Sequence, residues 1–170
     1  MRLFPAIDIQ GGRCVRLRKG DFADETVFGD DPVAMARHWA EEGARFLHVV
    51  DLDGARYGEQ RNFPVIRAIA EAVPMVVETG GGIRTEQALQ SALAIAERAV
   101  IGSLSVAAPE LVTEWLARYG AERIALALDV RLDGNGKPWV STHGWRRDST
   151  RSLWDLLDRY RATPLKHVLC

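Results

Sequence analysis

Pro5–Val15, PAIDIQGGRCV, and Leu126–Val140, LALDVRLDGNGKPWV, follow one plan. In each an apolar run ends in aspartate, a β-branched residue follows, and a glycine-bearing loop comes next. A second pair, FLHVV at Phe46–Val50 and LKHVL at Leu165–Leu169, recurs at nearly the same offset, so His48 answers to His167 as Asp8 answers to Asp129. Two anchors at nearly one offset mark an internal repeat, and repeats decide architecture before any single element does.

Around these anchors, short apolar runs alternate with helical patterns. Strands are expected at 3–8, 98–103, 123–130 and 166–170, and 46–54 and 74–84 each read as a strand with its loop. The helix over 32–42 has Asp31 as N-cap, Pro32 in its first turn and Gly43 at its end. Further helices are expected after Asn62, after Thr85, over 108–119 ending at Gly120, and from Ser152. A glycine-rich, basic loop is expected between the first strand and the helix over 32–42. Gly134, Asn135 and Gly136 suggest a hairpin thrown out beyond the fifth strand. Strict alternation of this kind implies parallel βαβ units, either in a doubly wound sheet or in a (β/α)8 barrel.

The repeat selects the barrel. Residues 1–120 form a first half-barrel of four βα units, and residues 121–170 start a second. Completing that copy requires roughly 240 residues, about the size of a (β/α)8 barrel. The expected fold class is therefore α/β, of the (β/α)8 TIM barrel family, with about six of eight units in one partial domain over residues 1–170. Val168, Leu169 and Cys170 read as part of a strand buried on both faces. A chain stopping there leaves strand edges open, which invites self-association.

The net charge of -1 gives no electrostatic case for nucleic acid or an anionic membrane, so any anion must be held locally. Cys14 and Cys170 are too few and too far apart for a disulfide framework or a metal set. The opening MRLFPAIDIQGG lacks the apolar core of a secretory signal, and no run approaches the ~18 apolar residues of a membrane span. A cytoplasmic protein is expected.

Several residues carry chemistry in this reading. In ETGGGIRT, Glu78–Thr85, Gly81 and Gly82 stand between strand and helix, where backbone and helix N-terminus can approach a phosphate. Gly102 and Ser103 at the end of the next strand complete such a cradle; the competing reading is a tight turn. Asp8 and Asp129 end equivalent strands at the face where barrel enzymes place their chemistry, and suit acid and base work. Asp51 and Asp53 are either functional or loop caps. His48 reads as a hydrogen-bonded core histidine, and His38 as solvent-facing. Arg16 and Arg18 alternate along a β segment, either meeting substrate or simply as surface charge. Trp145 either stacks on a flat heterocycle or packs its loop.

In this order PAIDIQGGRCVRLRKGDF, LHVVDLDGA, GGGIR, IGS, ALDVR and GW resemble the phosphoribosylformimino-5-aminoimidazole carboxamide ribotide isomerase family of histidine biosynthesis. The resemblance runs the length of the chain. It implies a (β/α)8 barrel with two-fold internal symmetry, and an aldose–ketose isomerase performing the Amadori rearrangement of ProFAR to PRFAR without metal or organic cofactor. It assigns Asp8 as general base and Asp129 as proton donor, places one phosphate of a doubly phosphorylated substrate on Gly81, Gly82, Gly102 and Ser103, and matches Trp145 to an aromatic residue that stacks on the imidazole carboxamide. A complete enzyme of this kind is expected to be a monomer. The family continues past the sixth strand into a loop with a further catalytic aspartate and a second phosphate site, so a chain ending at Cys170 is expected to be inactive or nearly so. The related cyclase subunit usually has Cys where Ala6 stands here, which favours the isomerase. Two alternatives remain: a bifunctional isomerase that also acts on phosphoribosyl anthranilate, and an inactive, oligomeric phosphate-binding half-barrel.

Overall fold

The computed structural model describes residues 3–18, 20–142 and 147–170. The chain divides into two compact units, Met1–Ala99 and Val100–Cys170.

In the first unit, β1 (Ala6–Gln10), β4 (Phe46–Asp51) and β5 (Val76–Gly80) run parallel, β4 lying between the other two. Their register sets Ala6 opposite His48 and His48 opposite Glu78. Successive side chains alternate between faces. Ile7, Ile9, Leu47, Val49 and Val77 therefore point to one side, and all are buried. There they meet α1 (Pro32–Glu41) and α3 (Phe63–Ala72) through Ala36, Ile66 and Ile69. Each such aliphatic side chain contributes about 1.5–3 kcal/mol by leaving water. Asp8, His48 and Glu78 lie on the opposite face, and this alternation separates core from candidate chemistry.

The helix starts follow their caps. Asp31 Oδ1 accepts from the amides of Val33 and Ala34 ahead of α1. Thr85 Oγ1 accepts from Ala88 N to open α4 (Glu86–Ile95). Asn62 stands before α3 but makes no side-chain cap, for its side chain is used elsewhere.

Two features depart from expectation. The stretch between β1 and α1 is mostly not loop: β2 (Arg13–Arg18), the β segment read at Arg16 and Arg18, and β3 (Asp21–Gly29) form an antiparallel ribbon that continues from β1 around Gly11 and Gly12. Val15, Leu17 and Val27 supply the alternation. Similarly, α2 (Leu52–Tyr57) follows β4 directly where only a turn was expected.

β6 (Arg98–Ile101) begins in the first unit and ends in the second. The second unit continues with α5 (Ser103–Ala107), α6 (Pro109–Tyr119), β7 (Ile124–Ala127), β8 (Val130–Leu132), β9 (Pro138–Thr142), β10 (Arg147–Ser152), α7 (Leu153–Tyr160) and β11 (His167–Leu169). β11 pairs in parallel with β7, and Leu128 N donates to Leu169 O at 2.9 Å. Val168 is 42% exposed, so β11 is a strand but not one buried on both faces. The hairpin at 133–137 forms as expected. Asp133 Oδ1 accepts from Asn135 N and Lys137 N, while β10 adds an unforeseen third strand beside β9. α7 buries Leu153, Leu156 and Tyr160, and the Tyr160 hydroxyl donates to Ser105 O at 2.7 Å.

Parallel strands alternating with helices make the fold α/β. The core strands β1, β4, β5, β6, β7 and β11 follow one another as six of the eight units of a (β/α)8 barrel do.

Candidate active site

Asp8 lies at the middle of β1, not at its end as expected, because pairing with β2 and β4 carries the strand on through Ile9 and Gln10. It is half-buried, on the face away from the apolar core. Burial pushes its carboxyl above the ordinary carboxylate range, and the charges of His48 and Arg16 pull against that rise. Arg16 lies on β2 and is exposed, so the ribbon, rather than a loop, carries it to Asp8.

The loops at this end of the unit are tied together by Asp51, which is fully buried. Its carboxylate accepts from Gly54 N (2.8 Å), Arg61 N (2.7 Å), Asn62 N (2.9 Å) and Asn62 Nδ2 (2.7 Å). Asn62 in turn accepts from Gly12 N through Oδ1 and donates to Asp53, whose Oδ2 also accepts from Gly11 N. Of the two readings for Asp51 and Asp53, the loop-capping one describes these bonds. They lock the turn after β1 to the segment after β4. Asn62 escaped sequence reading because its position before a helix has a simpler explanation.

Gly81 and Gly82 have φ of +102° and +74°, which L side chains rarely adopt. A Cβ at Gly81 would collide with the Asp51 backbone carbonyl, and one at Gly82 would come within 2.7 Å of the Glu59 carbonyl carbon. Their glycine identity therefore follows from backbone packed on backbone. Gly102 is different: a Cβ there would meet only Ala127 O, at 4.0 Å. Ser103 follows it at the start of α5. Ser105 Oγ, donating to Gly102 O at 2.7 Å, steadies the segment.

Asp129 follows β7. Its surface is open, yet the atoms around it desolvate the carboxyl enough to raise its pKa, with no opposing charge among the causes. Its backbone carbonyl accepts from Ser141 N at 2.7 Å. Asp8, Arg16, Gly81 and Gly82 belong to the first unit, and Gly102, Ser103 and Asp129 to the second. Trp145 lies outside the described residues. Among the described residues, no group of three or more His, Cys, Asp or Glu is arranged to hold a metal ion.

His48 makes the hydrogen bond expected of it: Nδ1 lies 2.9 Å from Glu78 Oε1. The other Glu78 oxygen accepts from Arg98 Nη1 at 2.9 Å. Desolvation would raise the Glu78 pKa, but the bonds from His48 and Arg98 outweigh it and leave the carboxyl below its ordinary value. A glutamate inside the apolar run PMVVETG was the available sign of such a partner.

The family described as histidine biosynthesis protein matches residues 2–170. The chain is 43% identical over 169 residues to 1-(5-phosphoribosyl)-5-((5-phosphoribosylamino)methylideneamino)imidazole-4-carboxamide isomerase of Proteus mirabilis, covering 99% of this chain and 69% of the relative. The isomerase of the same name from Pectobacterium atrosepticum matches with the same identity and coverage, and that of Idiomarina loihiensis is 45% identical over the same shares. With the alternation of parallel strands and helices already in place, these likenesses settle the family. The chain belongs to the histidine biosynthesis protein family.

Proposed function

We propose that the protein carrying this sequence catalyses, in the cytoplasm, the isomerisation for which its relatives are named. In the form the resemblance implies, a general acid protonates the ring oxygen of the aminoaldose, and the furanose opens to a protonated Schiff base at C1. Asp8 takes the proton from C2, and the C2–H electron pair becomes the C1–C2 double bond as the imine electrons move onto nitrogen. The enolamine then gains a proton at C1 and loses one from the C2 hydroxyl, giving the ketone. The imine is the electron sink, so the scheme calls on no metal or organic cofactor.

The observation that carries this reading is the Asp8 carboxyl, half-buried on β1 opposite the apolar core, in a chain 43% identical to named isomerases. Its raised pKa makes it a stronger base than a free aspartate, and the pKa nearer neutrality suits proton transfer. Asp129, also raised, suits the group that gives a proton back. Gly102 and Ser103 support a phosphate contact, because the space beside Gly102 admits an oxygen. Gly81 and Gly82 would contribute backbone amides to the same phosphate, with Arg16 near the reacting end and Trp145 against the imidazole carboxamide. The substrate is a small molecule with two phosphates, and the complete barrel, having no open strand edge, works as a monomer.

The test is turnover of the aminoaldose by the protein and by its Asp8→Asn and Asp129→Asn variants, with phosphoribosyl anthranilate as a second substrate. Turnover lost on Asp8→Asn supports the assignment. Turnover undiminished in that variant overturns it, and turnover of both substrates makes the enzyme bifunctional.

A further inference from the structure

Asp8 shares its side of the sheet with charged side chains that the reaction above does not use. His48 stands opposite Ala6, two residues before Asp8, and opposite Glu78. Residues two apart on a strand share a face, as do register partners, so Asp8, His48 and Glu78 lie together. The His48, Glu78 and Arg98 side chains are 16%, 6% and 11% exposed. Gripped at one oxygen by Arg98 and at the other by His48, the Glu78 carboxylate has little freedom, and it fixes the imidazole through Nδ1.

The charged groups brought to Asp8 by the strands beside it are Arg16 from β2 and His48 from β4. α1 meets the other face of β1 through apolar residues, and Asp53 of α2 is engaged by Gly11 N and Asn62 Nδ2. His48 itself faces Asp8 from β1, Glu78 from β5 and, through Glu78, Arg98 from β6. Of these two described groups, Arg16 is exposed and screened by water, whereas His48 is mostly enclosed.

We propose that His48, oriented by Glu78 and Arg98, is a positioning residue for Asp8, supplying from the next strand the cationic partner that keeps this half-buried carboxyl able to release and accept a proton. Its catalytic meaning rests on Asp8 being the base of the isomerisation. Burial pushes the Asp8 carboxyl up and a nearby positive charge pulls it down, and an enclosed histidine fixed to a glutamate is placed to oppose the burial. The order of the opposing charges, His48 ahead of Arg16, agrees.

Carbon-13 NMR across pH tests this without substrate, reading the Asp8 carboxyl carbon and the His48 ring in the unmodified protein. Coupled groups each show an inflection at the other's midpoint. In His48→Gln the Asp8 midpoint should rise by about one pH unit, and in Arg16→Gln by less. Independent single inflections in the unmodified protein, or an unmoved Asp8 midpoint in folded His48→Gln, would overturn the inference. If His48→Gln does not fold, the unmodified protein decides. Coupling without turnover of the aminoaldose would leave this link standing and remove the isomerase reading instead.

Discussion

His48 and His167 occupy matching places in the internal repeat, and each is hydrogen-bonded to a glutamate, yet the two pairs differ in physical kind. His48 and Glu78 meet across neighbouring strands, largely out of water, with Arg98 completing the set. His167 Nε2 meets Glu122 on an exposed surface at 2.7 Å, beside Lys166 at 2.6 Å. Glu122 is lowered to about 2, chiefly by its bonds to Lys166 and His167, but water and salt screen what this contributes. The repeat-related aspartates diverge in the same way. Among the described residues, the burial that raises Asp8 is opposed by His48 and Arg16, whereas burial is what raises Asp129. A duplicated sequence thus carries over the position of a side chain, and its surroundings set its electrostatics.

The largest expected effect lies at Asp8. Asp8→Asn should lower turnover by about 10²–10⁴-fold, the usual cost of removing a positioned base, with Asp129→Asn as its counterpart in the repeat. Steady-state assays of both variants show whether the two halves divide the proton transfers between them. Next comes the buried pair: Glu78→Ala removes the carboxylate shared by Arg98 and His48 and should cost about 3–5 kcal/mol in urea unfolding. A loss within the range of surface pairs would erase the contrast between the two histidines.

A smaller effect is a matter of sign. Asp8 binds its proton more tightly folded than unfolded, so its stabilising contribution is complete below the unfolded pKa of about 3.9 and is lost as pH rises through the raised folded value. Asp8→Asn should therefore gain stability relative to the unmodified protein between pH 4 and pH 7, as urea midpoints across that range would show. Glu78 runs the other way: its contribution is present above the unfolded pKa and lost as pH falls through the lowered folded value. The smallest effect is expected at Glu122→Gln, which should leave the urea midpoint unchanged.

Much of this was legible in the chain. Asp31, Thr85 and Ser152 announced their helices, since a cap is a local contact between a side chain and amides two or three residues away. The parallel strands followed from apolar runs between those helices, and the repeat chose the barrel family. The β character around Arg16 and Arg18 was legible in their alternation, but the pairing of β2 with β3 was hidden, because a ribbon is made by pairing between distant residues. The candidate site was legible in its residue types and less so in its partners. Asp8 was visible from its place after an apolar run. Glycine at 81 and 82 was visible too, but the reason for it, the loops after β4 pressing on the backbone, was not.

The sequence by itself determined the alternation of parallel strands with helices and the family, because these depend on local propensity and on a pattern repeated along one chain. Only the tertiary structure decided that Asn62 binds Asp51, Asp53 and Gly12 instead of capping its helix, that Glu78 joins His48 to Arg98, and that His48 and Arg16 are brought to bear on Asp8. Hydrogen bonds and charges act over a few ångströms of space whatever the distance along the chain, so these surroundings exist only once the strands lie side by side.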